Sequence, residues 1–365
     1  MILAENIWAI SVPSVKKKRC AMAVLYLVEQ NTILRKSGER LLLCSKPPVN
    51  RYSPGVREDD ILVQWPLADI DHVMVYGNIQ ITTQTVHLLL AKNIELAIFT
   101  LSGELLGQIS PPCGRNIFLR IEQHKRREDA EFRLAFAKMI VESKIANALA
   151  VLRGYARNHP GTVVSADLAA MEKIREKVAL CSALDSLLGH EGSASAIYFK
   201  CLGQLPPPAW RFNGRSRQPP KDAANAVLSF GYTVLANELC SLIDGVGLDP
   251  GMGFYHEVSY GRPSLALDLL ELFRHPLIDR LMLTLFNRGS LGKDDFRPVA
   301  EGGIYLSDDG KRNFFAAYEH YMGEYKDDIP GENEALFRNY FQNQVALLCK
   351  AIKGEAAFEP YRLKI

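Results

Sequence analysis

Residues 94–140 read IELAIFTLSGELLGQISPPCGRNIFLRIEQHKRREDAEFRLAFAKMI and contain the change of pattern that determines the fold class. Before Pro111 and Pro112, short runs rich in Ile, Leu and Phe are separated by turn residues, which is typical of strands. After them, apolar residues recur every three or four positions, which is typical of an amphipathic helix. Because strands come first and helices follow in a separate block, the sequence predicts an α+β protein with a boundary near residues 110–118.

The N-terminal side of this boundary is predicted to be rich in β-structure. A short helix capped by Thr82 or Thr83 and running through Lys92 is expected within it. Strands are predicted over 23–29, 33–35, 40–44, 61–65, 73–76, 94–100 and 105–109. These elements make up a predicted domain over 1–110, followed by a linker over 111–118.

The C-terminal side, over 119–365, is predicted to be mostly helical. The first helix covers 117–157 and ends at His159-Pro160-Gly161. Further helices are predicted over 165–188, 194–202, 225–243, 313–325 and 333–352, with a small hairpin at 302–307.

Composition excludes several classes of protein. The chain has 365 residues, and 43 Lys and Arg against 41 Asp and Glu leave a formal charge of +2. That balance argues against a basic tail protein and an acidic disordered one, so any nucleic-acid function must rest on local clusters of charge. The seven cysteines are scattered without a C-x-x-C pair, which favours reduced thiols in a cytoplasm over disulfides or a zinc site.

A secretory or membrane role is also disfavoured by the sequence. The N-terminal positive charges at 16–19 follow the apolar stretch, which reverses the order of a secretory signal. The longest uncharged run, 72–91, contains several Asn, Gln and Thr residues and is unsuited to a bilayer.

The segment most informative about chemistry is 261–289, GRPSLALDLLELFRHPLIDRLMLTLFNRG. Ser264, Asp268, Glu271 and His275 are spaced four, three and four apart and therefore share one helix face. The remaining positions before His275 are mostly Leu, Ala or Phe, so the helix is predicted to be buried. A carboxylate stripe on a buried helix needs a partner, a metal or a wet cleft, because lone buried carboxylates are unfavourable. His275-Pro276 is expected to break the helix.

Two further residues complete a possible metal-ligand set. The glycine-rich loop 247–256 brings His256 towards the carboxylate stripe, and Glu191 lies in an irregular junction, Gly189-His190-Glu191-Gly192, at the start of a short helix. Oxygen ligands with one nitrogen suit Mg²⁺ or Mn²⁺ better than structural zinc. Such a metal would stabilise charge on a phosphate during phosphodiester chemistry.

Structural alternatives stand beside this interpretation. Glu191 could be a helix-start charge, and His256 could be a hydrogen-bonded structural imidazole. Asp268 and Glu271 could pair with arginines, for which Arg262, Arg274 and Arg280 are the candidates.

A local basic cluster lies in segment 211–221, RFNGRSRQPPK. It carries Arg211, Arg215, Arg217 and Lys221 without an acid, and Trp210 and Phe212 flank its start. Such a mixture can contact phosphates and stack a base. The alternative is a solvated loop without a ligand.

Several of these stretches together resemble the CRISPR-associated endonuclease/integrase family of spacer acquisition, the first of the numbered Cas proteins. The similarity covers about 23–365 and is carried by LLGHEGSASAIYF at 187–199, GRSRQPPKDAANAVLSFGYTVL at 214–235 and GLDPGMGFYHEVSYGRPSLALDLLELFRHPLIDRLMLTLFNRGSL at 247–291. The N-terminal stretch 66–109 and the helix start at 116–147 are similar too. Residues 1–22 have no counterpart, and the 46–60 loop is longer than is typical.

The resemblance implies a β-rich dimerisation domain and a helical, metal-dependent catalytic domain. It implies that Glu191, His256 and Glu271 hold Mg²⁺ or Mn²⁺, with Asp268 as a further catalytic residue beside the metal. It also implies a cytoplasmic homodimer that works with a small ferredoxin-like CRISPR adaptation protein on double-stranded DNA, inserting short fragments into a repeat array. Two alternatives remain: a metal-dependent repair nuclease for branched or single-stranded DNA, and a non-catalytic DNA-binding scaffold.

Overall fold

The computed structural model describes residues 24–45, 61–70, 72–101, 103, 105–110, 116–299, 302–324 and 337–364. The chain divides into two compact units. The first comprises Met1–Cys113 and Ser307–His320, and the second comprises Gly114–Leu306 and Tyr321–Ile365. Segment 307–320, which the sequence assigned to the C-terminal domain, therefore groups with the β-rich unit. Outside the described residues lie the 1–22 extension, the whole 46–60 loop and linker residues 111–115.

The β-rich unit contains two four-stranded sheets. Its elements are β1 (Val24–Leu27), β2 (Thr32–Ser37), β3 (Arg40–Ser45), β4 (Ile61–Pro66), β5 (His72–Tyr76), β6 (Ile79–Ile81), α1 (Thr83–Ala91), β7 (Glu95–Phe99) and β8 (Leu105–Ile109). One sheet has the order β1-β5-β7-β8 and the other β4-β3-β2-β6. The seven predicted strands and the helix capped by Thr82 are confirmed. The sequence missed β6, because three residues are too few to show a periodicity.

The core of this unit lies between one face of each sheet. Alternate residues of the first sheet, such as Leu25 and Val73, form one buried cluster with Leu34, Leu41 and Trp65 of the second. The two-residue repeat of a strand explains the alternation, since successive side chains point to opposite faces. The hydrophobic runs of β1 and β5 are buried throughout because their other face is covered as well.

Segment 307–320 covers that second face of the first sheet. It forms most of helix α9 (Asp308–Glu324). The ring of Phe315 stacks on Tyr26 with centroids 4.2 Å apart and lies 5.2 Å from Tyr76. These aromatic contacts bury large apolar surfaces, and they explain why a segment distant in sequence belongs to the β-rich unit.

The second unit is mostly helical. Its elements are α2 (Ile117–Glu128), α3 (Ala130–Asn158), α4 (Ser165–Val178), α5 (Leu184–Leu202), α6 (Ala223–Gly245), α7 (Ser264–Phe273), α8 (Arg280–Asn287), β9 (Phe296–Pro298), β10 (Ile304–Leu306) and α10 (Phe337–Lys353). Helix α3 contacts α4, α5 and α7, and α6 packs on α7. The predicted α+β class is confirmed. The predicted hairpin is formed by β9 and β10 and begins earlier than expected.

Two predicted helix boundaries are wrong. Segment 117–157 is two helices, because the Asp129 side chain accepts hydrogen bonds from the amides of Glu131 and Phe132 and caps the start of α3. Segment 165–188 is also interrupted, and α5 begins at Leu184, so Glu191 lies inside a helix and not at a junction. A glycine inside a helix costs only about 1 kcal/mol, and packing of that helix can outweigh the cost of Gly189 and Gly192.

His275-Pro276 does not end the helical path after α7. Arg274–Asp279 forms a π-helical turn that leads directly into α8. Proline lacks the amide proton of a regular helix, and a π-turn accommodates that loss without ending the helix. Gly289 follows α8 with a φ of 65°, as expected of a C-terminal glycine.

Among the described residues, α6 is the one helix with the length and composition of a membrane span, and 78% of its most apolar window is buried within the protein.

Removing the Asp129 cap is predicted to destabilise the helical unit. We expect Asp129→Ala to lower the free energy of unfolding by about 1 kcal/mol, because two amides at the start of α3 lose their acceptor. Urea denaturation followed by circular dichroism would measure the change. Asp129→Asn retains the capping oxygen and should stay close to wild type; equal losses in both variants would contradict the capping role.

Candidate functional site

Two carboxylates from different helices meet at one buried lysine. The Lys144 ammonium group on α3 contacts Glu191 Oε1 on α5 and lies 2.7 Å from Glu271 Oε2 on α7. The Lys144 side chain is only 4% exposed, Glu271 is 8% exposed and Glu191 is 20% exposed. Residues almost 130 positions apart therefore meet at a single point inside the helical unit.

Helix packing determines this meeting. The buried Asn147, one helical turn after Lys144, donates a 2.8 Å hydrogen bond from Nδ2 to the Leu272 carbonyl and accepts one from the Leu363 amide. Because Leu272 follows Glu271 directly, this bond holds the carboxylate end of α7 against α3. The Lys144–Glu271 contact therefore belongs to a polar seam between two buried helices.

Glu271 has a second cationic partner. Arg274 Nη1 donates hydrogen bonds to both carboxylate oxygens of Glu271, each at 2.9 Å. Burial by itself would raise the pKa of Glu271, but the charges of Arg274 and Lys144 outweigh it and hold the pKa well below its usual range. Burial similarly opposes the charge of Arg274, but the Glu271 carboxylate raises the pKa of the guanidinium. The arginine pairing that the sequence left open is thus realised for Glu271.

Asp268 organises the segment that carries His256. Its Oδ2 accepts the amides of Phe254 and Tyr255 at 2.7 and 3.0 Å, and its Oδ1 accepts the His256 amide at 2.8 Å. The same Oδ1 lies 2.8 Å from His256 Nδ1. The Asp268 side chain is fully buried, so four hydrogen-bonding groups replace water around its charge. This pairing favours a proton on Nδ1 and leaves Nε2 with its lone pair.

Tyr255 joins the two halves of the site. Its hydroxyl donates a 3.3 Å hydrogen bond to Glu191 Oε2. Burial, reinforced by the charges of Glu191 and Glu271, raises the pKa of Tyr255 far above its ordinary value, so the phenol stays neutral and acts as a donor. The oxygens of Glu191 are thereby held between Lys144 and Tyr255.

The predicted carboxylate stripe is divided between different neighbours. Asp268 and Glu271 contact the site, while Ser264 Oγ donates to the Glu257 carbonyl at 2.8 Å. His275 Nδ1 lies 2.6 Å from Asp279, which also accepts the hydroxyls of Tyr198 and Tyr232. His275 belongs to this second buried network and not to the Lys144 cluster.

Glu191, His256 and Glu271 were the predicted metal ligands. Glu191 and Glu271 share Lys144, and Tyr255, the residue before His256, donates to Glu191. Within the described part of the chain, no three His, Cys, Asp or Glu side chains are already arranged as a ligand set. Lys144 and Tyr255, which the sequence did not single out, lie between these residues. The one signal that could have marked Lys144 is its place on the apolar face of the predicted helix, three residues after Val141 and four before Ala148.

The basic segment 211–221 is more structured than the sequence indicated. Arg215 donates from Nη1 to Asn225 Oδ1 at 2.8 Å and from Nη2 to Ser229 Oγ at 2.9 Å. Its guanidinium lies 5.4 Å from the centroid of the Tyr232 ring. Arg215 therefore anchors the segment to α6. Arg211, Arg217 and Lys221 are exposed.

The aromatic residues at the start of this segment are engaged in packing. Trp210 stacks on Phe286 with centroids 4.9 Å apart, and Phe212 is buried. Base stacking, which the sequence suggested, would require Phe212 to leave the protein interior and Trp210 to leave its stacking partner Phe286.

Comparisons with known proteins identify the family. The family model described as CRISPR associated protein Cas1 matches residues 25–320. The chain is 33% identical over 306 residues to a CRISPR-associated endonuclease Cas1 of Rhodospirillum rubrum, covering 81% of this chain and 85% of the relative. It is 30% identical over 347 residues to a Cas1 endonuclease of Chlorobaculum tepidum, covering 92% and 96%.

Solved structures show the same architecture. A Cas1 protein from Thermotoga maritima superposes with a TM-score of 0.75 at 26% identity, covering 93% of this chain and 99% of that one. A casposase bound to its integration product shares the fold, with a TM-score of 0.79 at 23% identity, covering 94% and 95%. The fold and these matches place the chain among the CRISPR-associated proteins of α+β architecture. The chain belongs to the Cas1 family.

Replacing Asp268 by its isosteric amide is predicted to loosen the His256 segment. In Asp268→Asn one acceptor oxygen becomes a donor and faces amide protons, so at least one of the four hydrogen bonds is lost. We expect faster hydrogen exchange at the amides of residues 254–256 and a loss of about 1–3 kcal/mol in the free energy of unfolding.

Asp249→Asn is the matched control for this prediction. Asp249 Oδ1 accepts a single amide, that of Gly251 at 2.8 Å, and an asparagine oxygen can serve one donor equally well. Unchanged exchange at 254–256 in Asp268→Asn would show that the carboxylate does not hold this segment.

Proposed function

We propose that this Cas1-family chain is a metal-dependent DNA integrase that inserts short DNA fragments into a CRISPR array. One observation carries the proposal: carboxylates from two helices converge on a single buried ammonium group, and Tyr255, which donates to one of them, directly precedes a histidine whose ring is held by a third carboxylate. Membership of the family and the name endonuclease given to its relatives support the same chemistry for this chain.

The donor set fits Mg²⁺ or Mn²⁺. Glu191, Glu271 and His256 offer carboxylate oxygens and one imidazole nitrogen, which suit these ions. The His256–Asp268 contact has the form seen at metal sites, in which a ligating histidine donates its other N–H to a carboxylate. Asp268 positions His256, because its two oxygens already accept four hydrogen bonds. When bound, the metal would supply positive charge to the reacting phosphate.

In the proposed reaction the 3′-hydroxyl of the incoming fragment attacks a phosphorus atom of the target strand. A new P–O bond forms to the fragment, whose hydroxyl gives up its proton to solvent. The bond to the target's own 3′ oxygen breaks, and that oxygen takes up a proton from solvent and leaves as a new 3′-hydroxyl. Glu191 and His256, which are 20% and 17% exposed, present the accessible side of the site to such a substrate. Tyr255 and Arg274 hold Glu191 and Glu271 in place during the reaction.

The partners of this activity are part of the proposal. A chain that shares this fold, with a TM-score of 0.76 at 24% identity, comes from a Cas6-RT-Cas1–Cas2 complex and is covered over 38% of its length. We propose that this chain acts in the cytoplasm on double-stranded DNA. It would form a homodimer through its N-terminal half and work with a small ferredoxin-like adaptation protein.

Loss of Glu191 or His256 is predicted to abolish strand transfer. We expect Glu191→Ala and His256→Ala to reduce insertion of a labelled fragment into a repeat-containing plasmid by about a hundredfold or more, because charge stabilisation at the phosphate is lost. His190→Ala alters the neighbouring residue on α5 and serves as the control. Wild-type strand transfer by either site variant would overturn the assignment.

A repair nuclease would use the same site with water as the nucleophile. The products on a supercoiled repeat-containing plasmid separate the two reactions: integration joins the labelled fragment to the plasmid, whereas hydrolysis only nicks it. Nicked plasmid without joined fragment would favour the nuclease.

The ion pairs of Glu271 with Lys144 and Arg274 favour the scaffold alternative, since they show that the carboxylates can be satisfied without a metal. Calorimetric titration with Mn²⁺ distinguishes the two cases. An integrase should bind Mn²⁺ and lose that binding in Glu271→Ala, whereas a scaffold should show no Glu271-dependent binding.

Three exposed basic residues are predicted to bind the DNA backbone. Replacing Arg211, Arg217 and Lys221 together by Ala should reduce the slope of log affinity against log salt concentration by about 3, because each phosphate contact contributes close to 0.9. Arg215→Ala should leave the slope unchanged and lower the free energy of unfolding instead, because its guanidinium is engaged in the protein.

The control for this prediction removes equal charge elsewhere in the helical unit. Replacing the exposed Lys350, Lys353 and Lys364 by Ala leaves the basic segment intact. Equal slopes for both triple variants would show that the segment is not a specific DNA contact.

A further inference from the structure

Lys144 is a buried charge that packing alone does not explain. Of its neighbours on the same face of α3, Ile140, Val141 and Ala148 are apolar and buried, and Asn147 is polar and buried. An unpaired buried ammonium group is strongly unfavourable, and a buried ion pair is often no more stable than apolar residues of the same size. A Leu or Met would satisfy the packing of α3, so the ammonium group has another role.

The charges around Lys144 form a balanced set. Lys144 and Arg274 contribute two positive charges, and Glu191 and Glu271 contribute two negative charges. The ammonium group contacts one oxygen of each glutamate. These are the two carboxylates that the proposed function assigns to a divalent cation.

Two cations cannot bind the same carboxylate oxygens equally well. Like charges a few ångströms apart in a low-dielectric interior repel each other strongly. An ion bound by Glu191 and Glu271 would therefore compete with Lys144 for these oxygens. Lysine is suited to such an exchange, because its charge sits at the end of a flexible four-carbon chain, whereas the planar guanidinium of Arg274 is held against Glu271 and the Tyr232 ring, 4.3 Å from its centroid.

We propose that Lys144 is a built-in substitute for the metal: it holds Glu191 and Glu271 together in the metal-free protein and is displaced from them when a divalent cation binds. If Lys144 were absent, the carboxylates of Glu191 and Glu271 would lie together in a buried site and lack a counter-charge between them. The lysine thus keeps the empty site folded and lowers its affinity for metal. This inference rests on the proposed function, because it assumes that these carboxylates bind a divalent ion.

The test compares Lys144→Met with wild type in the full chain. In EDTA, Lys144→Met should have a lower melting temperature than wild type, because the carboxylates lose their counter-charge. Its affinity for Mn²⁺ in calorimetry should rise by about tenfold or more, because the competing cation is gone. Addition of Mn²⁺ should then raise the melting temperature of Lys144→Met more than that of wild type.

Lys138→Met is the matched control. It removes the same charge from the same helix, but Lys138 donates to the Ala179 carbonyl at 3.1 Å, away from the carboxylates. We expect wild-type Mn²⁺ affinity in this variant. Equal or weaker Mn²⁺ binding by Lys144→Met would overturn the inference and show that the lysine supports the metal-bound site.

A measurement on the unmodified protein covers the case in which Lys144→Met fails to fold. Amine acetylation followed by mass spectrometry should label Lys144 slowly in EDTA and faster with Mn²⁺, relative to Lys138. An unchanged labelling ratio in protein that binds Mn²⁺ would contradict displacement.

If neither wild type nor Lys144→Met binds Mn²⁺ through Glu271, the inference and the proposed metal centre both fail. If both bind Mn²⁺ equally through Glu271, only the inference fails.

Discussion

Buried charge must be paired, and this constraint shapes the helical unit around its site. Lys144, Asp268, Glu271 and Arg274 are all nearly removed from water, and every one has an oppositely charged or hydrogen-bonding partner. Lys144 joins segments that are distant in sequence, Asp268 fixes a loop against a helix, and Arg274 pairs with Glu271 one helical turn away. The polar side chains of the candidate site therefore also determine how α3, α5 and α7 lie against each other.

Within this arrangement, Asp268 and Lys144 have complementary roles. Asp268 gathers three consecutive amides and the His256 ring around one carboxylate, which makes the 254–256 segment a rigid support. Lys144 gathers two carboxylates around one ammonium group. The two carboxylates are thus held together in the absence of a ligand, because the positive charge of Lys144 offsets their mutual repulsion.

The positions of most strands and helices could be predicted, because hydrophobic periodicity is a local property. The errors lie where local signals were misleading. Gly189 and Gly192 suggested a junction, but α5 continues through both; Asp129 looked like one acid among many, but caps a new helix. The nucleic-acid role of Arg215 and Trp210 stays a prediction, and in the structure these side chains pack against α6 and Phe286. For α5, packing against α3 and α4 outweighed the local preference of glycine, whereas the Asp129 cap is a local contact that a single acidic residue does not reveal in the sequence.

The sequence by itself determined the α+β class, the order of the elements and the residue types of the site, because strand and helix periods and the spacing of Asp268 and Glu271 are written along the chain. Only the tertiary structure decided that Glu191 and Glu271 share Lys144, that Asp268 serves His256, and that His275 belongs to a separate network with Asp279. The physical reason is that ion pairs and hydrogen bonds form only between atoms within about 3 Å of each other in space. The number of residues between two partners in the sequence does not indicate whether they come this close, because that depends on how the helices pack.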